Sequence, residues 1–414
     1  VRAKLLSFLQ GSGGLAVAIV VMNVSTYGFQ MVAARRLGPE AYGGVASLMA
    51  LLMVIGVVQL GLQATAARRV AAEPEHVGTI ERSMRSVTVR ASLATGALML
   101  LLAPLVWRVL QLDSLVPALL VAASAVPLTM SGGQAGMLQG ERRWLQLSLL
   151  YLALGVPRVL LGTICMVISP TETAAMIGVT LALFAPVAVG WWALRQPRVD
   201  SDPTITAEQA HDHGFRSVVR EAVQSSLALL AFFVLSNMDV VIARNTLSHH
   251  QAGLYAAGLI LTKAVLFLPQ FVVVVAFPSM STEGEQRSSL MRALAAVAVA
   301  GLASIAGAWL LSGIAMIFIG GDRYTDVQHR LWIFAVVGMM LSLLQMLIYS
   351  VLARRHRGAS ILVWSAVVVL AVLGLMMNTL TSLVLTVVAV DTVLMIVLLV
   401  LSLWHLRHEA PTHA

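Results

Sequence analysis

The chain has 414 residues, 59% of them apolar and only 11% charged, with a mean hydropathy of +0.88. A soluble globular chain is about 45–50% apolar and about 25% charged, so this one lacks the charge to cover a water-facing surface and is not a soluble enzyme. Its net charge of +8 is scattered between apolar runs, which gives no contiguous patch for nucleic acid, and the single cysteine, Cys165, excludes a disulfide framework.

Residues 1–11, VRAKLLSFLQG, are basic and amphipathic in the manner of an interfacial helix, and no small-residue cleavage site follows them, so the first span is expected to be retained. Twelve apolar helices then follow, at 12–34, 41–66, 86–110, 115–138, 146–168, 173–194, 218–243, 252–276, 290–318, 329–352, 359–378 and 380–404. Each reaches the roughly 20 residues that a hydrocarbon core requires. Strand-type alternation is absent, which excludes a β-barrel. The expected fold is an all-α polytopic membrane protein.

With a cytoplasmic N-terminus, nineteen of the 27 lysines and arginines fall on the inner side, including Arg68, Arg69, Arg142, Arg143, Arg354 and Arg355. Six fall outside, namely Arg35, Arg36, Arg108, Arg244, Arg323 and Arg330, while Arg158 and Lys263 lie inside spans. This bias places both termini in the cytoplasm and supports an even number of spans. The paired arginines are read as topology determinants that attract anionic inner-leaflet lipid.

The longest connection, about 195–217, is polar, carries Pro197, Asp200, Asp202 and Pro203, and sits midway along the chain. It divides an N-terminal six-helix lobe (1–195) from a C-terminal one (218–414), with 196–217 as a cytoplasmic linker. The two lobes look alike. VAARRLGPEAYGGVASLM (32–49) follows the first span and VIARNTLSHHQAGLYAAGLI (241–260) the seventh, so that Arg35 aligns with Arg244 and Gly43 with Gly253 after one inserted residue. GMLQGERRWLQLSLL (136–150) likewise pairs with YSVLARRHRGASILV (349–363). Six spans is an even number, so the halves are expected to be parallel repeats about an axis along the membrane normal, enclosing a central cavity as alternating-access transporters do.

The stretches LGPEAYGGVASL and NMDVVIARNTLSHHQAGLYAAGLILTKAVLFLPQFVVVVAFPSMS resemble polysaccharide-biosynthesis flippases, the Wzx-like exporters of the multidrug/oligosaccharidyl-lipid/polysaccharide superfamily. The resemblance implies transport of a polyprenyl-diphosphate-linked saccharide from the inner to the outer leaflet of a bacterial cytoplasmic membrane. It implies no catalysis and no cofactor, with proton or sodium coupling and envelope-assembly partners such as a glycan polymerase. The loop between spans two and three, ARRVAAEPEHVGTIERSMRSVTVR, lacks the glycine- and aspartate-bearing basic motif of the major facilitators. The chemistry agrees. A diphosphate with its sugars would lose its water in hydrocarbon, whereas a cavity with a few arginines and scattered amides replaces that water, arginine donating two parallel hydrogen bonds.

Ionisable groups at membrane depth cost upward of about 2.5 kcal/mol each and are functional candidates for that reason. On span one, Asn23, Tyr27 and Gln30 form one polar face, with Arg35 and Arg36 near its outer end. This is either a cavity wall with an anion-attracting rim or a set of packing hydrogen bonds beside two snorkelling arginines. Asn237 and Arg244 share a face of span seven, while Asp239 points elsewhere, as an ion-coupling acid or as the counter-ion of a cation on another helix. Lys263 and Gln270 share a face of span eight beside Pro269; the lysine is either a cargo contact or half of a structural ion pair. Arg158 follows Gly155 and Pro157 in span five, where a kink would aim it inward. Asp391 is the only acid of the last span and a second ion-coupling candidate. Gln59 and Gln63, one turn apart on span two, are either cavity lining or packing glue. The His211-Asp212-His213 run has no companion ligands, and no metal site is expected.

Two rivals follow. A multidrug antiporter of the same superfamily would handle cationic substrates, so an acid such as Asp239 or Asp391 would dominate its cavity; here the intramembrane cations outnumber those acids. A polytopic glycan ligase or glycosyltransferase would need a sizeable outer loop with an acid/base constellation, which this sequence does not offer.

Overall fold

The computed structural model describes residues 12–196, 215–266, 286–353 and 357–408, and every regular element among them is a helix. The amphipathic N-terminal segment, most of the linker, Pro269 with Gln270, and Arg354 with Arg355 lie outside the described residues.

The first two expected spans form one run of helix, α1 (Ser12–Ala72), interrupted only at Gly38, whose φ of 76° is left-handed. Pro39 dictates the break: it has no N–H to continue the ladder and it disfavours helical backbone at the residue before it. Glycine alone takes the left-handed turn there without a Cβ penalty. The sequence predicts a six-residue loop over 35–40; the structure has a one-residue break, because both flanks are helix-compatible up to Gly38 itself.

The third to fifth spans are α2 (Val77–Val109), α3 (Val116–Gly140) and α4 (Trp144–Ile168). The sixth is split into α5 (Glu172–Ala182) and α6 (Phe184–Leu194), because Pro186 offers no N–H to the Ala182 carbonyl. Thr171 caps α5 by accepting from the Ala174 N–H at 3.2 Å. The second half brings α7 (Phe215–Thr246), α8 (His249–Leu266), and a ninth span divided into α9 (Gln286–Leu310) and α10 (Ser312–Ile319). A 3-10 turn and the short α11 (Thr325–Gln328) lead to α12 (Leu331–Ala353), α13 (Arg357–Leu375) and α14 (Leu380–His408). Among the described residues nine helices are long and apolar enough to cross a membrane, and the first of these holds both spans one and two. The protein is a multi-pass, all-α membrane protein.

The helices form two compact units. One comprises the described residues of 1–37 and 48–230; the other comprises those of 38–47 and 231–414. The chain therefore does not divide in a single cut, since the ten residues after the Gly38 break join the second unit. Within the first unit α3 is the central helix, packed by α2, α4, α5 and α6. Within the second, α12 is central, packed by α8, α9 and α14. These are the fourth and tenth spans, repeat mates in the 6+6 scheme, and they are the most enclosed, with 67% and 72% of their apolar windows buried. Their neighbours α2 and α9, mates in turn, are among the least enclosed at 22% and 28%, with α4 also at 28%. Burial follows the repeat.

Close packing in the first unit rests on small residues. Gly132, Gly136 and Gly140 recur every four positions along α3 and meet Gln59, Gln63 and the Ala67–Val70 turn of α1. Lipid gives little hydrophobic drive for helix association, so such stripes work by letting backbones approach. Polar side chains then bridge the seam. Gln59 Nε2 donates to Ser131 Oγ at 3.2 Å, and Gln63 Nε2 to Gln139 Oε1 at 2.9 Å and the Tyr151 hydroxyl at 2.8 Å. Of the two readings of Gln59 and Gln63, the packing one matches these contacts. In the second unit Thr262 Oγ1 donates to the Phe334 carbonyl at 2.8 Å and Ser342 Oγ to the Val265 carbonyl at 3.1 Å, tying α8 to α12.

Candidate functional site

In the first unit the polar face of α1 presents Asn23, Tyr27 and Gln30, all half-buried, and ends in the exposed Arg35 and Arg36. Helix α4 lies alongside this half of α1 because two of its glycines admit it: Gly155 packs on Met22 and Gly162 on Phe29, while Val159 meets Gly28. Arg158 sits between the two glycine contacts, one residue after Pro157. Its side chain is half-buried, and its Nε is buried with no hydrogen-bond partner among the described residues. A guanidinium here is a strong, fork-shaped donor for an anion.

In the second unit four ionisable groups, Asp239, Arg244, Lys263 and Asp391, are buried. Arg244 is only 2% exposed, and its Nη1 donates to the Glu40 carbonyl at 3.2 Å. It thereby braces the 38–47 segment on α7. Its repeat mate Arg35 is exposed, so the two arginines that align in sequence have different surroundings.

A buried cluster gathers around Lys263. Its Nζ donates to the Ser236 carbonyl at 2.6 Å and to Asn237 Oδ1 at 3.0 Å. Asp239, on the same stretch of α7, accepts from the Val240 N–H at 2.9 Å through Oδ1 and from the Tyr255 hydroxyl at 3.0 Å through Oδ2. Asp391 of α14 lies within the electrostatic reach of both Asp239 and Lys263. Asp391 is 1% exposed, and neither of its carboxylate oxygens has a hydrogen-bond partner among the described residues. Three helices thus bring together Asn237, Asp239, Lys263 and Asp391, which the sequence places on separate faces and spans. Ser236 and Tyr255 complete the cluster and were not singled out by the sequence. Tyr255 stands about two turns before Lys263 on α8, a weak signal that becomes informative only once Asp239 is known to face it.

The polysaccharide biosynthesis protein family model matches residues 8–283, about two thirds of the chain. The chain belongs to this family. No curated protein matches the sequence. Among solved structures, an inward-facing multidrug resistance MATE family transporter of the MOP superfamily aligns over 96% of this chain and all of its own, at a TM-score of 0.74 and 15% identity. A MOP superfamily transporter from Pyrococcus furiosus, described as having a binding pocket of reverse polarity, aligns over 95% of this chain and 96% of its own, at 0.64 and 14% identity. A eukaryotic MATE transporter aligns over 94% of both chains, at 0.64 and 13% identity. These likenesses establish the two-lobe repeat fold for this polysaccharide biosynthesis family member. These neighbours are described as membrane transporters, and at 13–15% identity what the present chain shares with them is the fold. In this family member the described cationic candidates divide into three settings: Arg35 and Arg36 exposed, Arg158 half-buried, Arg244 and Lys263 enclosed by their own unit.

Proposed function

We propose that the protein flips a polyprenyl-diphosphate-linked oligosaccharide or polysaccharide repeat unit from the inner to the outer leaflet of a bacterial cytoplasmic membrane by alternating access, with both termini cytoplasmic and without catalysis. The observation that carries this reading is Arg158: a guanidinium at membrane depth whose buried Nε has no partner among the described residues. A cation kept in that state costs free energy unless something anionic joins it, and a diphosphate supplies both the charge and the parallel acceptors. Asn23 and Gln30 on the adjoining half of α1 add amide groups suited to sugar hydroxyls, and Arg35 with Arg36 form its cationic end. Family membership supports the saccharide class. A proton gradient resets the carrier through the acids Asp239 and Asp391, and an envelope-assembly enzyme such as a glycan polymerase takes up the delivered unit.

The test is deletion of the gene followed by mass spectrometry of extracted lipids and assay of surface glycan. Accumulated lipid-linked repeat units with lost surface polymer, restored by the wild-type gene and not by Arg158→Ala, are expected. The second reading, a cation-coupled multidrug antiporter, is favoured by Asp391, whose carboxylate oxygens have no hydrogen-bond partner among the described residues, and by the description of the inward-facing neighbour. It would show instead as an unchanged lipid pool with new sensitivity to cationic drugs.

A further inference from the structure

Lys263 is held as a metal ion would be. Both hydrogen bonds of its ammonium go to oxygen, the main-chain carbonyl of Ser236 at 2.6 Å and the amide oxygen of Asn237 at 3.0 Å, and the Asp239 and Asp391 carboxylates act on it electrostatically. Carbonyl, amide and carboxylate oxygens on membrane helices are the set by which hard cations are coordinated. The residue is only 7% exposed and spends its hydrogen bonds on its own unit, so nothing in this geometry reaches toward cargo. The surrounding groups are accounted for helix by helix. Ser236, Asn237 and Asp239 come from α7, Tyr255 from α8 itself, Asp391 from α14, and α12 contributes the Phe334 carbonyl that accepts from Thr262.

We propose that Lys263 is a tethered counter-cation occupying a latent alkali-cation site of the second unit, so that sodium and potassium cannot load there in the wild-type protein. The Ser236 and Asn237 oxygens a metal ion would need are already taken by the ammonium. With the ammonium in place, the two carboxylate oxygens of Asp391 are what this cluster leaves without a hydrogen-bond partner among the described residues. An alkali ion is therefore left with too few ligands. Removing the ammonium vacates the oxygens and leaves two carboxylates in a buried space without their counter-charge, which is the condition under which a small cation binds. The consequence for energy coupling rests on the transporter reading, because a carrier with a built-in cation at this position does not draw on sodium through it. The binding statement itself does not depend on cargo.

The experiment measures thermal unfolding of the purified full-length protein in NaCl, KCl and choline chloride at equal ionic strength. The wild type is expected to unfold at the same temperature in all three. Lys263→Ala is expected to unfold several degrees lower in choline and to recover saturably with sodium or potassium, and Lys263→Ala/Asp391→Asn to lose that recovery. A saturable sodium shift in the wild type, abolished by Asp391→Asn, overturns the proposal, as does a folded Lys263→Ala protein indifferent to cations. Where Lys263→Ala does not fold in choline, its yield after extraction in high sodium or potassium gives the same answer: rescue is expected, and failure of both salts to rescue overturns it. Because no cargo enters the assay, a failed flippase assignment and a failed cation proposal give separate results.

Discussion

Gly43 and Gly253 meet backbone to backbone: a methyl group on Gly43 would stand 3.3 Å from the Gly253 nitrogen and 3.4 Å from its Cα. These are the two glycines that the internal repeat aligns, each following the first span of its half. On Gly253 the space is tighter still, for a Cβ there would run into the Pro39 carbonyl. A substitution at Gly253 must therefore move backbone, whereas one at Gly43 meets the end of the flexible Arg244 side chain and a backbone that need give by only a few tenths of an ångström. Overpacking of this kind costs about 1–3 kcal/mol. Gly253→Ala is expected near or above the top of that range and Gly43→Ala near the bottom, a ranking that thermal unfolding in detergent reads directly. Equal small shifts would contradict the contact.

Arg244 braces the same segment from the side. It is enclosed, and it donates to a carbonyl of residues that directly follow the Gly38 break. Truncation to alanine removes a large buried side chain and its charged hydrogen bond to the Glu40 carbonyl, and a bond of that kind is worth about 1.5–3 kcal/mol. Arg244→Ala is expected to lower the unfolding temperature with or without cargo. Arg244→Lys is expected to be intermediate, since it keeps the charge and loses the planar fork. Export lost at full thermal stability would instead return Arg244 to the cargo path.

What was legible in the sequence follows from what sequence encodes locally. The apolar runs are helical throughout the described residues because length and hydropathy suffice in lipid, where the backbone must satisfy itself. The repeat was legible because both halves carry a glycine where this contact forms, the one at Gly253 leaving no room for a Cβ. The Gly38 break was misread as a loop because polar and charged residues, here Arg35, Arg36 and Glu40, look alike in a helix end and in a turn. The Lys263 cluster was hidden for a different reason. Asp239, Lys263 and Asp391 lie on three helices, and periodicity within one helix says nothing of which face another presents. Tyr255, placed in an apolar run, gains a role only from the carboxylate opposite it.

The glycine stripe of α3 and an open glycine of α9 provide opposite signs in one assay. Gly136 faces the Gln63 backbone at a distance that admits no Cβ, while Gly307 has nothing within 4 Å of where its Cβ would stand. Gly136→Ala is expected to destabilise by separating α1 from α3 and breaking the Gln63 bridges to Gln139 and Tyr151. Gly307→Ala, in the interior of a helix with free space around it, is expected to stabilise by up to about 1 kcal/mol through helix propensity. Paired thermal melts of the two variants decide the matter, and a loss at Gly307 would show that this face of α9 is covered.

Arg158 differs from the enclosed cations in the sign of its effect on stability. Arg244 and Lys263 satisfy carbonyl and amide oxygens of their own unit, so removing them exposes a deficit. Arg158 has its Nε buried without a partner among the described residues, and its removal relieves the cost of holding a charge at membrane depth. Arg158→Ala is therefore expected to leave the unfolding temperature unchanged or to raise it, while lowering export of the lipid-linked saccharide by more than about tenfold, the equivalent of roughly 1.4 kcal/mol of lost anion binding. Arg158→Lys is expected to restore part of the export, because it keeps the charge and loses the two parallel donors. Complemented deletion strains, scored for lipid-linked intermediate and for melting of the purified variant, separate the two effects. A marked drop in melting temperature together with lost export would make Arg158 a structural residue and remove the main support for an anionic cargo.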